Sequence, residues 1–134
     1  MQVVEEIRRF TISKEFSFCA SHQLKLVPDG HPCARVHGHN YVVRAFFSCP
    51  VSGLERGMVI DYRELGPLKE FIDEKLDHQH LNDVLPGMEP TAENLAAYLL
   101  DWVSGRYGKR AVAVEVCETP KTTARVEVAG WLVK

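Results

Sequence analysis

The strongest constraint on this chain is a two-residue period near its N-terminus. From Arg8 to His22 the even positions read Arg8, Phe10, Ile12, Lys14, Phe16, Phe18, Ala20 and His22, while Thr11, Ser13, Glu15 and Ser17 occupy odd ones. Successive side chains on a strand point to opposite faces, so the pattern predicts a half-buried strand with one face on a core and the other in water. A strand of this kind needs partners at its edges and a layer over its apolar face. The turn-rich segment Val27-Pro28-Asp29-Gly30-His31-Pro32 leads to a second strand, from about Val36 to Ser48.

Helical spacing takes over in the middle of the chain. Leu65, Leu68, Phe71, Ile72 and Leu76 form one stripe, over about Tyr62 to Leu76, with Pro67 admissible only in the first turn. Leu95, Tyr98, Leu99, Trp102 and Val103 form a second, with Thr91 as its N-cap and Gly105 and Gly108 at its end. Two strands close the chain: Val112, Val114 and Val116 alternate with Ala113, Glu115 and Cys117, then, past a turn near Pro120, Val126 and Val128 alternate with Arg125 and Glu127. The order ββααββ predicts an α+β fold, a four-stranded antiparallel sheet with two helices on one face.

Its 134 residues suit a single domain spanning 1–134. The net charge of -2 offers no basic surface for nucleic acid or an anionic membrane. No apolar run approaches the roughly 20 residues of a membrane span, and Met1 to Phe10 lacks the pattern of a signal peptide, so a cytoplasmic location is expected. Cys19, Cys33, Cys49 and Cys117 form no CxxC pair, and four free thiols are expected in a reducing compartment.

His37-Gly38-His39 puts two imidazoles on one face of a strand, and His22 ends the apolar face of the preceding strand, where a cross-strand partner belongs. Three histidines without a fourth protein ligand form a catalytic zinc (Zn2+) pattern, one position being left for substrate. Hydrogen-bonded histidines without metal are the plainer alternative. Cys33 lies in the loop leading to the metal strand; a zinc ion and Arg35 would favour its thiolate, the reactive form, although a small packing residue has the same sequence appearance. The other three cysteines lie in strands and read as packing. Asp77-His78 follows the first helix, where a carboxylate orients an imidazole; the helix dipole alone also favours a histidine there. Glu118 ends the Val112-Val114-Val116 face, either as an exposed charge or as a bidentate acceptor for a planar ligand with adjacent N–H donors. Glu93 is placed to interact with the N-terminus of the second helix.

Together these residues resemble the 6-pyruvoyltetrahydropterin synthase and 6-carboxytetrahydropterin synthase family. The resemblance runs from about Phe10 to Val128. It is carried by Cys33-x-x-x-His37-Gly38-His39, Phe18-Cys19-Ala20-Ser21-His22, Leu76-Asp77-His78-Gln79-His80-Leu81-Asn82, Pro90-Thr91-Ala92-Glu93-Asn94 and Glu115-Val116-Cys117-Glu118-Thr119. It implies the tunnelling fold and a homo-oligomer, a hexamer of two stacked trimers. It implies zinc on His22, His37 and His39, and Cys33 as proton-abstracting base assisted by Asp77 and His78. Glu118 would anchor the pterin ring, with Thr91 and Glu93 in the pocket wall. The implied substrate is 7,8-dihydroneopterin triphosphate, and the compact chain is more similar to the 6-carboxy branch, which feeds 7-deazaguanine and queuosine synthesis; the 6-pyruvoyl product is the alternative. Ser21 departs from a frequent alanine, and Gln23 from a common basic residue, which leaves triphosphate contacts to Lys25 or Arg35. A related branch carries Glu in place of the cysteine, and Cys33 argues against it. Outside the family, a three-histidine zinc hydrolase with Glu118 or Glu93 as base would leave Cys33 idle. A zinc-stabilised binding module would normally supply four protein ligands.

Overall fold

The computed structural model describes residues 8–129. The expectation that the first ten residues hold no leader therefore falls largely outside the described residues. The alternating segment is a long strand, β1 (Arg9–His22), paired antiparallel along its whole length with β2 (His37–Pro50). Its even positions from Phe16 to His22 are buried and the odd ones between them are not, as the period requires.

The chain then enters a 3₁₀ turn at Tyr62–Leu65, where the Asp61 carboxylate accepts the Arg63 N–H, and continues as α1 (Gly66–Lys75). Pro67 falls in the first helical turn, where its missing N–H costs nothing. Two elements absent from the sequence expectation follow: β3 (Gln79–His80) and the single turn α2 (Leu81–Val84). Then come α3 (Ala92–Tyr107), β4 (Ala111–Thr119) and β5 (Thr122–Glu127). Thr91 caps α3 by accepting the Asn94 N–H at 3.1 Å, and Gly108, at φ 74°, lets the chain leave it.

The sheet therefore has five strands, in the order β3-β1-β2-β4-β5, rather than four. The fifth is two residues long and parallel to β1, too short to leave a period in the sequence. All other pairings are antiparallel. One face carries Phe16, Phe18, Tyr41, Val43, Ala45, Phe47, Val114 and Val116 against Leu68 and Ile72 of α1 and Leu95, Leu99 and Val103 of α3. Phe71 of α1 stacks on Trp102 of α3, ring centres 4.6 Å apart, and so ties the helices together. Leu99 is fully buried, and truncating it to Ala would cost about 2–5 kcal/mol.

The other face of the sheet is polar. Glu15 pairs with Arg44 at 2.8 Å, and Arg125 bridges Glu115 and Glu127 while its guanidinium lies over Phe46. No helix among the described residues is long and apolar enough to cross a membrane.

Candidate metal centre and active site

Three imidazoles meet where the apolar face of the β1–β2 ribbon ends. The register sets His22 opposite His37 and Ala20 opposite His39. All three side chains thus leave the same face, and a ligand atom from each lies within 4.8 Å of the others. His22 is buried and the other two are half-buried.

The proton positions are determined by carbonyl oxygens, which can only accept. Nδ1 of His22 lies 2.7 Å from the Pro90 carbonyl, and Nδ1 of His37 lies 2.7 Å from the Arg35 carbonyl. Each Nδ1 must therefore carry the hydrogen, so each neutral ring presents a bare lone pair at Nε2. Those two Nε2 atoms are 3.0 Å apart, two acceptors facing each other. The Glu118 carboxylate adds a third, 3.7 Å from His22 Nε2. Burial holds His39 below the usual histidine pKa, against the opposing pull of Glu118, and the neighbouring His22 and His37 lower it further; its ring is kept neutral. A shared cation turns this set of facing lone pairs into a coordination site, so the donor set fits a metal ion.

Tyr41 backs the cluster. Its ring is fully buried and stacks on Phe18, with centres 4.9 Å apart, and its hydroxyl oxygen lies 3.3 Å from His22 Nδ1. Burial and the nearby Glu118 carboxylate push its phenol far above the usual range, so it stays protonated.

Cys33 lies in the 3₁₀ turn Pro32–Ala34 and is half-buried. Its N–H donates to His31 Nδ1 at 3.0 Å, and its carbonyl accepts the Leu24 N–H at 2.9 Å. Gln23 Nε2 donates to the Ala34 carbonyl at 2.8 Å. The turn is therefore fastened to the two residues that follow His22. Gln23 thus spends one of its two amide N–H donors on the loop.

Asp77 and His78 occupy a different corner, beyond the β1 edge. Asp77 Oδ1 accepts the Cys19 N–H at 2.9 Å, and Asp77 Oδ2 lies 2.9 Å from His78 Nδ1. The Cys19 N–H, and after it His78, hold the Asp77 carboxyl below the usual range. His78 adopts a left-handed backbone, φ 60°, while its N–H donates to the Cys19 carbonyl at 2.6 Å. Its side chain is 81 % exposed and faces an open cleft of about 600 Å³ lined also by Cys19, Ser21, His39 and Asn40. Among the described residues no hydrogen bond or ion pair joins this corner to Cys33.

The cysteine reading needs one correction. Cys49 and Cys117 are buried, but Cys19 is exposed, its thiol donating to Asn40 Oδ1 at 2.9 Å. It occupies an odd position of β1, on the solvent side of the alternation.

Thr91 directly follows Pro90, whose carbonyl holds His22, and Glu93 lies two residues further along the chain. The Thr91 hydroxyl is engaged as the α3 cap, and Glu93 is exposed in the first turn. Sequence reasoning missed Glu89, whose carboxylate accepts the N–H groups of Lys25 and Leu26 and is held below the usual range by them. It named Asn82 as the end of a motif but gave it no role; Asn82 exchanges two 2.8 Å hydrogen bonds with the Gln23 backbone. Neither residue belongs to a periodic pattern, and a side chain capping a remote loop leaves no spacing to detect.

The chain is also similar to known proteins. Residues 11–129 match the family described as 6-pyruvoyl tetrahydropterin synthase. The chain is 37% identical over 122 residues to a Synechocystis protein named 6-carboxy-5,6,7,8-tetrahydropterin synthase, covering 85% of this chain and 90% of that one. It is 36% identical over 91 residues to a Dictyostelium discoideum protein named 6-pyruvoyl tetrahydrobiopterin synthase, covering 65% and 67%. The structure of Caenorhabditis elegans 6-pyruvoyl tetrahydropterin synthase superposes with a TM-score of 0.80 at 24% identity, over 92% of this chain and 99% of that one, and shares the fold. The chain belongs to the 6-pyruvoyl tetrahydropterin synthase family.

Proposed function

We propose that this chain is a zinc-dependent lyase acting on 7,8-dihydroneopterin triphosphate, with 6-carboxy-5,6,7,8-tetrahydropterin as product in 7-deazaguanine and queuosine synthesis. The observation that carries the reading is the pair of Nε2 lone pairs, 3.0 Å apart, on rings whose Nδ1 hydrogens are committed to carbonyls. Two nitrogens bound tetrahedrally to zinc at about 2.0–2.1 Å lie roughly 3.3 Å apart, close to this spacing. His22, His37 and His39 would hold the zinc. Bound there, zinc supplies Lewis acidity toward the side-chain oxygens of the substrate.

The chain's own residues then have separable tasks. Glu118 accepts the adjacent N–H donors of the pterin edge, with Thr91 and Glu93 in the wall of that pocket; its place beside His22 puts the ring's side chain next to the histidines. Cys33 removes a proton from a side-chain carbon, and triphosphate leaves from the neighbouring one. Asp77 orients His78, which passes protons to and from the thiol.

Cys33 and the Asp77–His78 pair are not joined within one chain, so we assign them to different copies in a homo-oligomer, a hexamer of two trimers. The sheet supports this. Among the described residues β3 pairs with Ala20 and Ser21 of β1, Asp77 and His78 bond the Cys19 backbone, and no strand pairs with the rest of the outer β1 edge or with the outer edge of β5. Edge-to-edge closure into a barrel, with the polar sheet face lining its interior, removes both. A cytoplasmic location suits four unpaired thiols.

Purified zinc-loaded protein, incubated with dihydroneopterin triphosphate, tests the reading by mass spectrometry. Release of acetaldehyde breaks a side-chain carbon–carbon bond and consumes one water, so the expected products are 6-carboxytetrahydropterin, acetaldehyde and triphosphate. A 6-pyruvoyl product without acetaldehyde would move the chain to the branch of its Dictyostelium relative, and unconsumed substrate would overturn the reading.

A further inference from the structure

The segment Gln23–Val36 carries Cys33, yet none of its residues is buried. Leu26 is 85% exposed. With no apolar anchor, the position of this loop depends on hydrogen bonds. At its far end Cys33 hangs from Leu24, as described above. At its near end the Glu89 carboxylate accepts the Lys25 N–H through both oxygens, at 2.8 and 2.9 Å, and the Leu26 N–H at 2.9 Å.

Glu89 is itself rigidly placed. Its carbonyl accepts the Thr91 N–H and Asn94 Nδ2, each at 2.9 Å, at the first turn of α3. The next carbonyl, that of Pro90, holds His22 Nδ1. Residues 89 and 90 thus hold the thiol loop with a side chain and a histidine of the cluster with a backbone carbonyl. Bonds to an ionised acceptor are roughly twice as strong as neutral ones, and a carboxylate offers oxygens to both amides at once. Glutamine would turn an NH₂ toward one of them.

We propose that Glu89 is a positioning residue for Cys33, fixing the Lys25–Leu26 backbone so that the Leu24–Cys33 hydrogen bond holds the thiol in register with the histidine cluster. This role rests on the proposed function, in which Cys33 is the base.

The test compares zinc-loaded wild type with Glu89→Gln and Glu89→Asp. Four quantities are measured: zinc per chain, amide exchange at Lys25 and Leu26, the alkylation rate of Cys33 by iodoacetamide read on its own peptide, and kcat and KM with dihydroneopterin triphosphate. For Glu89→Gln, exchange at one or both amides rises at least roughly 10-fold and Cys33 alkylation shifts by several-fold. Its kcat falls roughly 10- to 100-fold, the scale of an ångström-sized misplacement, with KM and zinc content near wild type. Glu89→Asp, which keeps the charge on a shorter stem, recovers part of kcat; it also serves if the glutamine variant folds poorly. Faster exchange with unchanged alkylation and kcat would make Glu89 a loop fastener and overturn the proposal, as would unchanged exchange. If wild type itself does not turn over the substrate, the functional reading fails, while exchange and alkylation still decide whether Glu89 places the thiol.

Discussion

His37-Gly38-His39 and His78-Gln79-His80 have the same spacing and lie at the same end of β1, but their surroundings give them opposite chemistry. In the first pair β1 supplies a third imidazole from across the ribbon, and backbone carbonyls bind the Nδ1 hydrogens of His22 and His37. Nε2 atoms are left facing one another without a protein donor. In the second pair each ring already has a partner: His78 has Asp77, and His80 Nδ1 lies 2.9 Å from Ser21 Oγ. β3 is an edge strand of two residues, and among the described residues no strand pairs with its outer side. The difference is one of unmet coordination, and spacing in the sequence carries no information about it.

The comparison breaks most visibly on metal content. His37→Ala should reduce zinc to a small fraction of one per chain, whereas His80→Ala should leave it at wild-type level, both read by elemental analysis after dialysis. Full zinc in each of the single variants at His22, His37 and His39 would remove the metal centre from the first pair. Loss of zinc from His80→Ala would move it to the second.

Next in size is the thiol. Cys33→Ala should keep fold and zinc and lose roughly 100-fold or more in turnover, the scale of a positioned general base. Cys19→Ala is the contrasting variant, because the exposed Cys19 thiol lies in the cleft that His78 lines. It should stay active within a few-fold. The reverse outcome would assign the proton transfer to the β1 corner. A smaller effect is expected of Glu118→Gln, which keeps the shape but not the charge. Pterin affinity, measured by titration calorimetry, should fall by about 10-fold, the range of a lost charge-assisted hydrogen bond, with zinc unchanged. Equal affinity would place the ring anchor elsewhere.

What the sequence made legible follows from period and local chemistry. The alternation of Phe16, Phe18, Ala20 and His22 gave the buried face of β1, and the stripe Leu95, Leu99, Val103 gave α3 with its Thr91 cap. The His22–His37 opposition was legible because a hairpin-like ribbon brings the end of one strand to the start of the next. β3 and α2 were not legible, since two and four residues are too few to show any period. Cys19 misled because a cysteine in a strand reads as buried; its odd position placed it on the polar face, and the period was the better guide. The roles of Glu89 and Asn82 were invisible because their partners, backbone N–H and C=O groups 59 to 64 residues away, look alike at every position.

The smallest expected effect concerns the second corner and separates structure from chemistry there. Asp77 has a folded pKa below its ordinary value, first because it accepts the Cys19 N–H and then because of His78. A depressed carboxylate contributes stability that is complete above its unfolded pKa and is lost as pH falls through the folded one. Asp77→Asn removes the charge but keeps an oxygen able to accept the Cys19 N–H. It should therefore lower Tm only slightly at pH 7, and the gap to wild type should close as the pH is taken below the carboxylate range. His78→Ala leaves the Cys19 hydrogen bond, the larger cause, in place. It should shift Tm less than Asp77→Asn, with turnover reduced if the pair moves protons. Thermal melts of the three proteins from neutral to acidic pH give the answer. A Tm gap for Asp77→Asn that stays constant across that range would mean the carboxylate charge does not hold this corner together, and the left-handed turn at His78 would then owe its stability to the neutral hydrogen bonds to the Cys19 backbone and to the β1–β3 pairing.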